Sequence, residues 1–295
     1  MRSGFSKLLF LIVFVLETCT GFRQLAFSGG GAFGAVEIGI LKRIREQEQV
    51  SEKYDMYTGI SAGGLNAGYL SFFEDIGTGI QHVEKLYGEF RNRQIYHLLP
   101  MTGVSLLNTE PLKETIGGVI DKMPNAPVIN TLIGATNLET GRLDVFNFSK
   151  LEKTDQKTML MATSAIPVVF PPVKHMGALY ADGGTLSNEL LVAMYPSDGS
   201  YLNITYITPS ESGVFSANIT SIKDMALRTF QIVAANFNDP IATLNQECEK
   251  SVGEINKYFV AAERLKEYNE LDFDHGKELI DIGYQFVEKR TYKIC

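Results

Sequence analysis

Apolar and polar positions alternate along this chain in two rhythms, short apolar runs and longer amphipathic stretches, the pattern of layered α/β architecture. Gln24–Phe27 predicts a short strand that runs into glycines. Over Ala35–Gln47 the spacing of Val36, Ile40, Leu41 and Ile44 predicts a helix with one apolar side. Tyr54–Thr58 predicts a second strand and Ala62–Leu70 a helix of small residues. Strands are expected over Val128–Thr136, Leu179–Ala181 and Tyr201–Thr208, and helices over Asp155–Ala165 and Ile219–Asn236. Ile166-Pro167 stops the first of those two helices. A last helix is expected from an Asp274 N-cap to Val287.

The first 21 residues stand apart. Arg2 and Lys7 precede the apolar run Leu8–Leu16, and Thr18, Cys19, Thr20 and Gly21 follow. A basic start, an apolar run too short to span a bilayer and small residues after it predict a cleavable signal peptide over 1–21, hence a secreted or lumenal protein. The chain has three cysteines, too few for a disulfide scaffold or a four-thiolate zinc site. Removing the leader leaves Cys248 and Cys295, a candidate disulfide in an oxidising compartment. Asn147, Asn203 and Asn218 begin N-glycosylation sequons. A formal charge of -7 argues against gripping nucleic acid, and no metal-ligand cluster or obligate protein partner is indicated.

Three constellations carry chemistry. Gly29-Gly30-Gly31-Ala32-Phe33-Gly34 joins a strand to a helix, so its backbone N–H groups converge at the positive end of the helix dipole. Such a loop suits an oxyanion or a phosphate. It also matches the dinucleotide pattern letter for letter, with Asp55 about where an acidic ribose partner is sought. Gly59-Ile60-Ser61-Ala62-Gly63 is a second strand–turn–helix, the setting that lifts a nucleophilic serine out of the backbone. Asp182-Gly183-Gly184 places a carboxylate at a strand end. A histidine base is conceivable at His275, the one histidine after Asp182; His175 reads as structural. Without a convincing histidine, Asp182 is the candidate base.

These residues resemble the patatin-like phospholipase family. SGGGAFG (28–34), GISAG (59–63) and DGG (182–184) stand in family order, and ATNLETG (135–141), SAIPVVFPPV (164–173) and the closing FDHGKELIDIGY agree with them. The resemblance implies a three-layer α/β/α fold with a mixed, mostly parallel sheet, in one catalytic domain over 22–295. It implies a lipid acyl hydrolase with Ser61 as nucleophile and Asp182 as base. Gly29, Gly30, Gly31 and Ala32 would supply the oxyanion hole, with Gly34, Gly59, Gly63, Gly183 and Gly184 as motif glycines. No cofactor is implied, and the partner is a phospholipid or acylglycerol at a membrane or lipid interface. Two residues depart from the pattern: Ser28 stands where many members have Asp, and Phe33 where many have a basic residue. Phe33 is expected to dip into the acyl boundary; Phe72 and Phe73, at the end of the serine helix, read equally as boundary contacts or as core packing. A histidine-dependent α/β-hydrolase esterase using His275, a non-catalytic storage or binding protein of the same fold and a dinucleotide-binding protein are the alternatives.

Overall fold

Runs such as Leu25-Ala26-Phe27 and Met56–Ile60 are apolar or small at every position, which suits strands buried on both faces of a sheet. The computed structural model describes residues 21–47, 53–98, 103–191, 201–211, 219–236 and 251–294. In chain order it holds β1 (Phe22–Phe27), α1 (Gly34–Gln47), β2 (Met56–Ile60), α2 (Ser61–Leu70) and α3 (Ile76–Glu89). A two-residue pair follows, β3 (His97–Leu98) and β4 (Leu107–Asn108), then α4 (Glu110–Ile120). Next come β5 (Asn130–Asn137), β6 (Arg142–Asn147), α5 (Lys153–Thr163), β7 (Val173–His175) and β8 (Ala178–Asp182). The chain continues through β9 (Leu202–Ser210), α6 (Ile222–Asn236), β10 (Gly253–Val260), α7 (Gly276–Gln285) and β11 (Val287–Ile294).

Nine of these strands form one sheet in the order β11-β10-β9-β1-β2-β5-β8-β7, with β6 also paired to β5. β10, β9, β1, β2 and β5 run parallel; β11, β6 and β8 pair antiparallel with their neighbours. The architecture is therefore α/β, a mixed and largely parallel sheet flanked by helices. Leu25, Phe27, Tyr57 and Ile207 share a core with Val36, Ile40, Leu70, Ile80 and Leu279 from α1, α2, α3 and α7. Phe148, Met159 and Leu160 extend it across β5. No helix among the described residues is long and apolar enough to cross a membrane.

The end of the chain differs from expectation. α7 stops at Gln285, and Val287 begins an edge strand rather than closing a helix. Asp274 does not cap α7: its carboxylate accepts from the backbone and side-chain amides of Asn92, both at 3.0 Å. The N-cap position falls to His275.

Candidate active site

The β2–α2 junction sets the site. Ser61 has φ 53, a left-handed conformation that side-chain-bearing residues adopt only where the surroundings enforce it. The flanking glycines explain how the chain turns so sharply. A Cβ on Gly59 would lie 2.2 Å from the Gly63 carbonyl oxygen, and one on Gly63 would lie 2.2 Å from that of Ser28. The Ser61 N–H donates to Thr163 Oγ1 at 2.9 Å, and Thr163 donates onward to the Gly134 carbonyl at 2.7 Å. The end of α5 thereby fastens the turn to β5.

The Ser61 hydroxyl that this turn presents donates to Asp182 Oδ2 at 2.6 Å. Asp182 is held at the end of β8 by three further bonds. Its N–H donates to the Ala165 carbonyl at 2.8 Å, its carbonyl accepts from Thr136 Oγ1 at 2.9 Å, and Oδ1 accepts from the Gly184 N–H at 2.8 Å. The side chain is fully buried. Desolvation raises its pKa to about 7; the bonds from Ser61 and Gly184 pull it down, and nearby Glu270 pushes it up. Burial likewise raises Glu270 to about 7, against a hydrogen bond from Gln231 and the charge of Arg228.

The glycine loop lies directly against the serine, since a Cβ on Gly29 would be 3.1 Å from Ser61 Cβ. Its four amides are not equivalent. Gly29 N–H is engaged by the Asn188 carbonyl at 3.2 Å and Ala32 N–H by the Glu270 carbonyl at 2.7 Å. Among the described residues the amides of Gly30 and Gly31 meet no acceptor. Of the four amides expected to face an oxyanion, Gly29 and Ala32 thus hold the loop in place, and Gly30 and Gly31 are left without an acceptor among the described residues. Gly31 needs glycine twice over: its φ is +55, and a Cβ there would lie 2.2 Å from the Glu270 carbonyl oxygen.

A buried polar cluster ties this loop to the helix after the serine. Glu37, fully buried on α1, accepts from the Ser28 N–H at 3.0 Å through Oε1 and from Asn66 Nδ2 at 2.9 Å through Oε2. Asn66 also donates to the Gly34 carbonyl and accepts from the Tyr87 hydroxyl. Burial pushes the Glu37 carboxyl well above the usual range, against these hydrogen bonds. Ser28, the departure from the family pattern, therefore sits on a carboxyl supplied from elsewhere in the chain. Glu37→Ala strands the Ser28 and Asn66 donors, and is expected to lower unfolding free energy by about 2–4 kcal/mol in denaturant titrations. A loss below about 0.5 kcal/mol would show that the loop does not depend on Glu37.

Ser61 and Gly31 open onto a cavity of about 100 Å³ whose walls are almost wholly apolar, among them Leu65, Tyr69, Val83, Leu112, Ile116 and Phe170. Helices α2, α3 and α4 enclose it. Phe33 is not at a lipid boundary: it is 1% exposed and packed in the main core, and Phe72 is buried against the Phe148 ring. The α1 start turns Phe33 inward, beneath the glycine loop.

His275 has no part in this geometry. Its ring nitrogens face carboxylates of its own segment, Glu278 at 2.9 Å and Asp272 at 3.5 Å. His175 is buried between the Phe146 and Tyr180 rings, 3.7 Å from Asp155. Asp55 lies at the start of β2, the end remote from the glycine loop, where its carboxylate accepts from the Arg23 N–H; a ribose partner there is not supported. No cluster of metal-ligating side chains occurs among the described residues. Asn147 ends β6, and Asn203 lies on β9 between two strands. Cys248, Cys295, Asn218 and most of the expected leader lie outside the described residues.

Sequence reasoning missed Thr163, Glu37, Asn66, Asn188 and Glu270. Asn66 and Thr163 lay within elements it predicted, but nothing in their spacing marked them. For Asn188 and Glu270 no signal exists, because each is a single polar residue whose partner is distant in sequence.

Comparison with known proteins adds the family. The chain is 24% identical over 298 residues to an uncharacterized protein, R571, of Acanthamoeba polyphaga mimivirus, covering 92% of this chain and 94% of that one. Among solved structures it is similar to VipD from Legionella pneumophila, with 13% identity, a TM-score of 0.41 and coverage of 92% of this chain and 68% of that one. It is also similar to the ExoU–SpcU complex of the type III secretion system of Pseudomonas aeruginosa, with 14% identity, a TM-score of 0.32 and coverage of 92% and 53%. A patatin-like phospholipase family model matches residues 25–194, a stretch that contains the glycine loop, Ser61 and Asp182, and the chain belongs to that family.

Proposed function

We propose that this protein is a lipid acyl hydrolase working by a Ser61–Asp182 dyad. The family implies hydrolysis of lipid acyl esters; the finer assignment rests on one observation, the 2.6 Å bond from the Ser61 hydroxyl to Asp182 beside an apolar cavity. Ser61 Oγ attacks the ester carbonyl carbon while its proton passes to Asp182. The carbonyl oxygen, now negative, takes hydrogen bonds from the free Gly30 and Gly31 amides, a contribution on the order of 10²–10³ in rate per donor. Collapse expels the alcohol, protonated by Asp182. Water then attacks the acyl carbonyl carbon as Asp182 takes its proton, and collapse releases the fatty acid while Asp182 returns that proton to Ser61 Oγ.

A carboxylate at its ordinary pKa of about 3.9 is a weak base near neutrality. Burial at Asp182 raises its pKa to about 7, so it holds a proton more firmly once ionised chemistry begins. The base must start ionised, so kcat/KM on a soluble ester is expected to rise with pH up to about 7 and to level off above it. A profile already flat from pH 5 would deny Asp182 the raised pKa.

The decisive experiment incubates the protein with vesicles of mixed phospholipid and acylglycerol and identifies released fatty acids by mass. Free fatty acid is the expected product; its absence, with a soluble ester also uncleaved, defeats the proposal. Residues 22–295 are proposed as one catalytic domain and 1–21 as a cleaved leader, so that the mature protein is secreted. In support, β1 begins at Phe22, and cleavage before it leaves the sheet whole. N-terminal sequencing of protein from a secreting host should begin near Phe22; Met1 retained would refute cleavage.

A further inference from the structure

Several of the most exposed apolar side chains of this protein come from adjoining segments. Leu98 on β3 is 81% exposed, Val104 79% and Val168 56%. The chain itself draws them together. β3 pairs with β4, and the Leu106 and Leu107 amides donate to the Val168 and Val169 carbonyls at 2.9 and 3.0 Å. Val168 has φ 67, a conformation that a β-branched residue resists, and it points a valine into solvent.

Alongside runs α6, whose Leu227 and Phe230 pack on Ile166, Val169, Phe170 and Leu107. Ile222 and Met225, three positions apart on α6, are 59% and 53% exposed. Beneath this rim lies the apolar cavity. Ile166, Phe170 and Leu271 belong both to the cluster that carries the rim and to the cavity wall next to Ser61. The rim is thus the outer face of the wall that would hold an acyl chain.

We infer that Leu98, Val104, Val168, Ile222 and Met225 form the surface by which the protein docks on a lipid layer, setting the cavity mouth against it. The inference rests on the lipid-hydrolase reading and specifies where that enzyme meets its substrate. Continuity decides the occupant. A chain that enters the cavity must leave a lipid layer first, and Ile166, Phe170 and Leu271 connect the cluster under the rim to the cavity wall. The side chains suit it as well: all five are aliphatic or thioether, able to lie among acyl chains without burying a polar group. Arg91, Arg93 and His97 are exposed on the segment leading to Leu98, and on this reading they would meet lipid phosphates. A formal charge of -7 over the whole chain gives no general attraction to an anionic layer, and the proposal commits to a zwitterionic one.

The chain contains no tryptophan, so an introduced indole reports alone. Leu98→Trp and Val104→Trp, each in a Ser61→Ala background that spares the lipid, are mixed with phosphatidylcholine vesicles. Glu288→Trp on the edge strand β11 is the control. Both rim indoles are expected to shift to the blue and to be quenched by bromine placed on the acyl chains, and the control is not. Leu98→Asp with Val104→Asp should weaken co-sedimentation with the vesicles about a hundredfold or more, since each buried side chain contributes about tenfold or more. Rim indoles that keep their aqueous emission, or a control that shifts as far, would overturn the inference. So would a blue shift that appears without vesicles as protein concentration rises, which would assign the face to a second copy of the chain. All these readouts are free of turnover. Failure of the ester chemistry would instead appear as a wild-type protein that docks on vesicles yet cleaves neither lipid nor a short soluble ester.

Discussion

Ser61→Ala is expected to lower turnover of a short soluble ester by about 10⁴- to 10⁶-fold while leaving a folded protein. The size follows from the role: without the oxygen that attacks the carbonyl, only the positioning and the oxyanion donors remain. The fold should survive because the strain at position 61 belongs to the backbone, which alanine shares with serine, and the Ser61 N–H still reaches Thr163. One electrostatic change comes with it. Asp182 loses the hydroxyl that lowers its pKa, so its carboxyl moves still higher in the mutant. Circular dichroism should match wild type, and a fluorophosphonate should label Ser61 in the wild type and nothing at that position in the mutant. Turnover within tenfold of wild type from a folded Ser61→Ala protein would end the nucleophile assignment.

What the sequence made legible was local. GISAG is a strand, a turn and a helix in consecutive letters, and the structure places the turn where the letters put it, with Ser61 as the first residue of α2. Asp182 was readable as a carboxylate at the close of a short strand. That it meets Ser61 across 121 positions was implied by resemblance, not by spacing. Whatever depends on pairing between distant segments stayed hidden. Val287–Ile294 carries four polar letters in a row, Glu288 to Thr291, and shows no strand rhythm of its own; its antiparallel partner β10 makes it a strand. Phe33 looked exposed because it sits in a glycine loop; the helix that starts beside it rotates its ring into the core. The engagement of two loop amides was hidden for a similar reason. The carbonyls that occupy Gly29 and Ala32 come from Asn188 and Glu270, and nothing near the glycines announces them.

Asp182→Asn is expected to separate activity from stability and to move them in opposite directions. Turnover of a soluble ester should fall by about 10²–10⁴-fold, the usual worth of a positioned base. The amide fits the site: its oxygen can accept from Gly184 N–H and its nitrogen can donate to Ser61 Oγ, so no buried polar atom is stranded. It has no basicity to take the serine's proton. Stability follows from the pKa. Folded Asp182 keeps its proton up to about pH 7, whereas unfolded Asp releases it near 3.9. Between those values the folded state binds more protons than the unfolded one, so wild-type stability falls as pH rises through the window and is level above it. Asparagine has no proton to lose and escapes that decline. Glu37 and Glu270 contribute the same slope to both proteins and cancel in the comparison. At pH 8 the asparagine variant should therefore gain on wild type, relative to their difference at pH 4, by on the order of 4 kcal/mol. Paired urea titrations at the two pH values measure the gain, and kinetics on the same samples measure the loss. His275→Ala, assayed beside it, should lose little, because its ring nitrogens face Glu278 and Asp272. A larger loss at His275 than at Asp182 would transfer the base to histidine, and a stability difference that does not change with pH would deny Asp182 the raised pKa that the proposed chemistry uses.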